Sequence, residues 1–180
     1  MSIKGVHDRE LLDILDGLEA EVFSGATWRT TWKGRDPLLG GKGGGRWSPN
    51  NSFEALYTSL DKNVSLAELY YHLSRAPVFS SRVVVISELH VDSVEVLNLT
   101  EDTLKRLGVE DATANSVDYT LTQAIGAAAN FLEYQGVLVP SARRKGVNLM
   151  LFPERLDLNT SIVVNNEEDI NWPAWVEHNK

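Results

Sequence analysis

Between Lys33 and Gly45 the chain carries six glycines and one proline. Glycine loses the most backbone freedom in a helix or strand and proline lacks an N–H donor, so this stretch is loop. What flanks it decides the fold. Residues 26–31, Ala-Thr-Trp-Arg-Thr-Thr, are rich in β-branched and aromatic types and read as a strand carrying Arg29. On the far side, Arg46-Trp47 and Ala55-Leu56-Tyr57-Thr58 read as short strands separated by the turn-forming cluster Ser48 to Ser52. The run Gly40 to Gly45 therefore does not leave a buried strand and open a helix. Rossmann and P-loop readings fail, and the run is either a flexible connection or a set of backbone amides exposed to an anion.

The remaining elements alternate irregularly. Leu11, Leu15, Leu18 and Val22 recur at helical spacing and predict an amphipathic helix from about Asp8. Asn63 is a candidate N-cap for a helix through Leu73 with Leu66, Leu69, Tyr70 and Leu73 on one face, which leaves Glu68 off that stripe beside Val64 and His72. Two strands are expected at 82–86 and 94–99, a short helix capped by Thr100, and a small-residue helix from about Asp118 to Phe131. Strands at 136–141 and 148–152 are joined by the basic turn Arg143-Arg144-Lys145-Gly146, and Ile162 to Val164 is one more strand before an acidic, Trp-containing tail. Helices and short strands without βαβ order imply an α+β fold. One domain over 1–180 is expected, since no linker or repeat divides it.

The net charge of -8 argues against a nucleic-acid or anionic-membrane surface, which needs clustered Lys and Arg. The absence of cysteine removes a disulfide framework, a thiolate nucleophile and a Cys-type zinc site. No metal-ligand spacing such as H-E-x-x-H occurs. No targeting or membrane-spanning segment is recognisable, and a cytoplasmic protein is expected.

Arg29 and Arg46 each neighbour a tryptophan, where a guanidinium can be stacked as a rigid anion receptor or can serve as an ordinary sheet-edge arginine. Tyr57 and Ser59 share one face of a strand. Glu68 is either a solvated helix residue or a carboxylate facing a site. Ser141 lacks the G-x-S-x-G elbow, and no histidine is placed by motif as its base, which disfavours a serine-hydrolase triad.

Taken in order, Trp28-Arg29, Gly-Gly-Arg46-Trp47-Ser48, Tyr57-Thr58-Ser59, Leu66-Ala67-Glu68, Gly136-Val137-Leu138-Val139-Pro140-Ser141-Ala142-Arg143 and Asn148-Leu149-Met150-Leu151-Phe152 resemble the RES domain family. The resemblance spans about residues 20 to 153, leaving 154–180 as an extension. It implies an ADP-ribosyltransferase-like fold, with a split, twisted β core and flanking helices. The implied activity is that of a toxin of a toxin–antitoxin pair, which cleaves the nicotinamide–ribose bond of NAD⁺ as a glycohydrolase or phosphorylase. Mono-ADP-ribosyl transfer to a cellular protein and a non-catalytic module of the same fold are the alternatives; loss of Arg46 or Glu68 would favour the last, and both are present. By the same resemblance Glu68 is the catalytic carboxylate, with Arg46 and Tyr57 beside it. Arg29 and Arg46 hold the pyrophosphate or ribose edge, Tyr57 packs on nicotinamide, and Ser59 and Ser141 line the pocket. NAD⁺ is then substrate, with no tightly bound cofactor. Water, inorganic phosphate or a protein is the acceptor, and the partner is a helix-turn-helix, Xre-like antitoxin. Ser48 stands where the family often has asparagine.

Overall fold

The computed structural model describes residues 8–78, 81–111 and 118–179. Helix α1 (Arg9–Asp16) opens on Asp8, whose carboxylate accepts the Glu10 and Leu11 amides at 3.1 and 3.2 Å, and it buries Leu11 and Leu15. The helical period to Val22 is not realised. Gly17 ends the helix, and from Ala20 the chain is strand β1 (Ala20–Trp32), with Val22 70% exposed on it. The reason is tertiary: β1 pairs antiparallel with β3 (Val84–Asn98) from Ala20↔Leu97 to Trp32↔Val84, which satisfies more backbone groups than another turn of helix.

Strand β3 also replaces the two strands expected at 82–86 and 94–99. Buried Leu89 and Val91 alternate with exposed His90 and Asp92 across the presumed gap. On the β1 side the irregularity survives as a register shift between Phe23 and Gly25. There Ser24 Oγ donates to Asp92 at 2.7 Å and accepts the Ser93 amide at 2.9 Å, with Ser93 at φ 58°.

After the glycine-rich loop come β2 (Leu56–Ser59) and α2 (Lys62–Arg75). The cap of α2 is Asp61 rather than Asn63: its carboxylate accepts the Asn63 and Val64 amides at 2.8 and 3.1 Å. Helix α3 (Glu101–Arg106) is capped by Thr100 as expected, and α4 (Thr120–Phe131) is buried along Ala124 to Ala129. Strands β4 (Gly136–Pro140), β5 (Val147–Leu151) and β6 (Ser161–Asp169) and helix α5 (Trp172–His178) complete the chain. The extension thus belongs to the sheet and its cover. Trp172 and Trp175 of α5 meet Tyr70 of α2 at ring separations of 5.8 and 5.5 Å.

Among the described residues six strands run in the order β1-β2-β5-β4-β3-β6, and the β1–β3 pairing closes the sheet. One edge of β3 lies along β1. The other is divided between β4, parallel at Val96 to Asn98, and β6, antiparallel at Val85 to Asp92. Closure is weakest between β1 and β2, which pair only at Trp28↔Ser59. Helices α1 and α4 cover a core of Leu97, Leu104, Ile125, Val137, Met150 and Phe152, while α2 and α5 cover Val84 and Ile86 with Leu66 and Leu73. No helix among the described residues is long and apolar enough to cross a membrane.

Candidate active site

Near the weak β1–β2 seam lies a cavity of about 410 Å³ whose wall gathers Arg29, Arg46, Tyr57, Ser59 and Glu68 from separate elements. Each is placed by its own local structure. Glu68 projects from α2, off the Leu66 and Leu73 stripe, with its side chain 28% exposed. Its Oε1 accepts hydrogen bonds from Ser141 Oγ at 2.6 Å and Asn148 Nδ2 at 2.8 Å, and its Oε2 lies 3.9 Å from Arg143 Nε. Asn148 is itself oriented by its register partner on β2: Ser59 Oγ donates to Asn148 Oδ1 at 2.7 Å. The order Ser59, Asn148, Glu68, Ser141 is therefore one hydrogen-bonded chain that fixes the carboxylate.

Arg46-Trp47 is not a strand. It is a bend clamped by α4: Gln123 Nε2 donates to Gly45 O at 2.8 Å and Thr122 Oγ1 to Arg46 O at 2.6 Å. A Cβ on Gly126 would lie 1.9 Å from Trp47 O, so only glycine permits this approach of helix to loop. Trp47 is buried in the core and does not serve as a stacking plate; the Arg46 guanidinium instead lies 5.5 Å from the Tyr119 ring at the start of α4. Tyr57 locks the same bend from below. Its hydroxyl accepts the Trp47 amide at 3.2 Å and lies 2.9 Å from Ser48 Oγ, and a Cβ on Gly45 would meet it at 2.7 Å. Ser48 thus has a defined role in holding Tyr57. Burial, partly opposed by these hydrogen bonds, pushes the Tyr57 phenol pKa up, so it is a neutral ring at physiological pH.

Arg29 Nη2 donates to Leu39 O at 2.8 Å, while its buried Nη1 has no hydrogen-bond partner among the described residues. Burial, then the neighbouring Arg35 charge, lowers its pKa to about 10. It stays cationic at neutral pH, with the N–H groups of Nη1 unspent among the described residues. Ser141, 3% exposed, sits behind Glu68 and not on the main cavity wall. Asn148, Arg143, His72, Arg35 and Tyr119 also border the site, though none is among the residues to which the resemblance assigns a role. Asn148 had a signal: it is a polar residue inside an otherwise apolar strand, opposite Ser59. His72 lies one helical turn beyond Glu68 on α2, as its spacing implies, whereas Arg143, Arg35 and Tyr119 become site residues only through chain crossings that no local pattern encodes.

The arrangement defines a class: a mixed helix-and-sheet protein whose closed sheet opens on a cavity with arginines on its wall and one rigidly held carboxylate. The chain belongs to the RES domain family, whose model matches residues 23–175. It is similar to the NAD(+) phosphorylase MbcT of Mycobacterium tuberculosis and to that of Mycobacterium bovis, each 30% identical over 156 residues, covering 82% of this chain and 84% of the relative. It is also similar to a chain of the crystal structure of the M. tuberculosis MbcT–MbcA toxin–antitoxin complex, with a TM-score of 0.84 and 27% identity over 94% of this chain and 97% of that one.

Proposed function

We propose that this chain is the toxin of a toxin–antitoxin pair and consumes NAD⁺ by phosphorolysis of the nicotinamide–ribose bond. The observation that carries the reading is the Glu68 carboxylate, held by two donors on the wall of a cavity that also carries the unspent donor of Arg29. The sheet, with β3 dividing one edge between β4 and β6, is read as the split core of an ADP-ribosyltransferase-like fold. The proposed unit is the whole chain, acting in the cytoplasm, with a helix-turn-helix antitoxin as its partner.

The chemistry follows from charge. As the bond from the ribose anomeric carbon to the pyridinium nitrogen breaks, its electron pair returns to the ring, so nicotinamide leaves neutral and needs no acid. Positive charge grows on the ribose, and a preorganised carboxylate stabilises it as carboxylates do in glycoside cleavage. A phosphate oxygen forms the new bond to that carbon as the old one breaks. In this reading Arg29 and Arg46 hold the diphosphate, Tyr57 supplies a neutral ring for nicotinamide, and Ser59 and Ser141 act through Asn148 and Glu68. The relatives' activity supports phosphate over water or a protein as acceptor.

The test is incubation of the purified protein with NAD⁺ in phosphate and in phosphate-free buffer, with mass analysis of products. Nicotinamide and ADP-ribose 1″-phosphate are expected. Intact NAD⁺ overturns the reading, and a mass shift on an added protein selects mono-ADP-ribosyl transfer instead.

A further inference from the structure

The turn Arg143-Arg144-Lys145 is the densest positive charge in a chain of net charge -8, and nothing in the NAD⁺ reading uses it. It follows β4 and packs beside the carboxylate rather than projecting freely. The Arg143 side chain is only 6% exposed; its guanidinium carbon lies 3.4 Å from the centroid of the Tyr71 ring and its Nε 3.9 Å from Glu68 Oε2. Its amide donates to Ser141 Oγ at 3.2 Å, which ties the turn to the same serine that holds Glu68. Burying a guanidinium against an aromatic face restrains it as a rigid, planar donor set.

Its surroundings separate this cation from Arg29. Arg143 borders both the main cavity, with Glu68 and His72, and a second hollow of about 590 Å³ that Arg144 and Lys145 line. Arg29, by contrast, has Arg35, Asp36 and Glu54 as its charged neighbours. The fold therefore carries cationic groups near the glycine-rich loop and another beside the carboxylate, the latter also bordering a hollow lined by Arg144 and Lys145 together with Glu101.

We infer that Arg143, with His72 at the cavity rim, is the subsite for the inorganic phosphate acceptor, and that Arg144 and Lys145 line its entry route. The inference rests on the phosphorolysis proposed above. HPO₄²⁻ seated there attacks the anomeric carbon through one oxygen as the carbon–nitrogen bond breaks; the electron pair leaves with nicotinamide and the phosphate proton stays on the product. Arg143 offsets the repulsion between that dianion and Glu68, which explains a buried arginine next to a carboxylate already satisfied by two other donors. A separate approach also lets phosphate enter after NAD⁺ has filled the main cavity.

The test uses inorganic phosphate in two ways. Direct binding is followed by ³¹P NMR line broadening with wild type, Arg143→Gln and Arg143→Lys, which needs no turnover. Initial rates are then measured against phosphate and against NAD⁺. Loss of a charge-assisted contact predicts about a tenfold or greater rise in KM for phosphate in Arg143→Gln, with KM for NAD⁺ changed less than about twofold and products shifted toward free ADP-ribose. Arg143→Lys recovers part of the effect. The double variant Arg144→Gln, Lys145→Gln, at exposed positions of which Arg144 bonds Asn179 Oδ1 at 3.1 Å, lowers kcat/KM for phosphate and flattens its dependence on ionic strength. An unchanged phosphate KM in Arg143→Gln, or wild-type cleavage of NAD⁺ indifferent to phosphate, overturns the subsite while leaving NAD⁺ cleavage intact. Wild type that does not cleave NAD⁺ removes the reading beneath both.

Discussion

Arg29 shows how a single residue can be unfavourable for the fold and fitted to a ligand. Lowering its pKa from the ordinary arginine value to about 10 corresponds to a cost on the order of 3 kcal/mol for keeping it charged in the folded chain. Because both the folded and unfolded values lie well above neutrality, that cost is constant across physiological pH. It falls away only as pH rises through the folded value near 10. A bound diphosphate would offset it through the idle Nη1. Arg29→Met also forfeits the bond to Leu39 O, worth about 1.5–3 kcal/mol, so a net gain of about 1 kcal/mol and a rise in Tm of about 2–4 °C are expected, with NAD⁺ binding greatly weakened, measured by scanning calorimetry and titration calorimetry on the same samples. A variant with lower Tm and full affinity would make Arg29 structural. At Glu68 the signs reverse. In Glu68→Gln the amide oxygen can still accept from Ser141 and Asn148, so the substitution preserves shape and removes charge. NAD⁺ affinity should persist while turnover falls about 10²–10³-fold, the usual loss when one transition-state stabiliser is removed. Turnover near wild type would take Glu68 out of the chemistry.

At the scale of elements, the distinction between what the sequence discloses and what it hides follows the range of the forces involved. Caps and apolar stripes are local, and Asp8, Thr100 and the α4 alanines act where their spacing predicts. The Val22 segment and the 84–98 segment go differently because strand pairing over long separation outweighs local period and local turn preference. Arg46-Trp47 has strand-like residues, yet Thr122 and Gln123 take the carbonyls of residues 45 and 46 that a strand partner would need. The site residues divide in the same way. Those within ordered motifs, such as Glu68 and Tyr57, were visible, whereas the Ser59–Asn148–Glu68 link exists only once β2 and β5 are in register. The α4 clamp is testable through its glycine. In Gly126→Ala the new carbon must displace the Trp47 backbone, since its position lies 1.9 Å from that carbonyl oxygen. A destabilisation of about 1–3 kcal/mol is expected from such overpacking. With Arg46 shifted by the same displacement, KM for NAD⁺ should rise more than kcat falls. Denaturant midpoint and steady-state kinetics check both, and a variant unaltered in either would mean that the helix yields instead of the loop.

For the whole molecule, the consequence of the proposed chemistry is depletion of a shared cellular pool rather than damage to one target. Expression of wild type alone in a bacterial host should arrest growth, and cellular NAD⁺ should fall before growth slows, because the pool is consumed catalytically and the arrest is its result. Glu68→Gln expressed at the same level should be harmless, which separates turnover from mere presence of a folded acidic protein. Co-expression of the cognate antitoxin should restore both NAD⁺ and growth. A partner that seats over the cavity mouth blocks a concave site without altering any residue in it, so the rescued complex should recover NAD⁺ cleavage when the partner is removed. NAD⁺ levels and optical density sampled together after induction decide the order of events. Arrest with the NAD⁺ pool intact would exclude depletion as the cause and favour modification of a protein acceptor, for which a few altered molecules suffice.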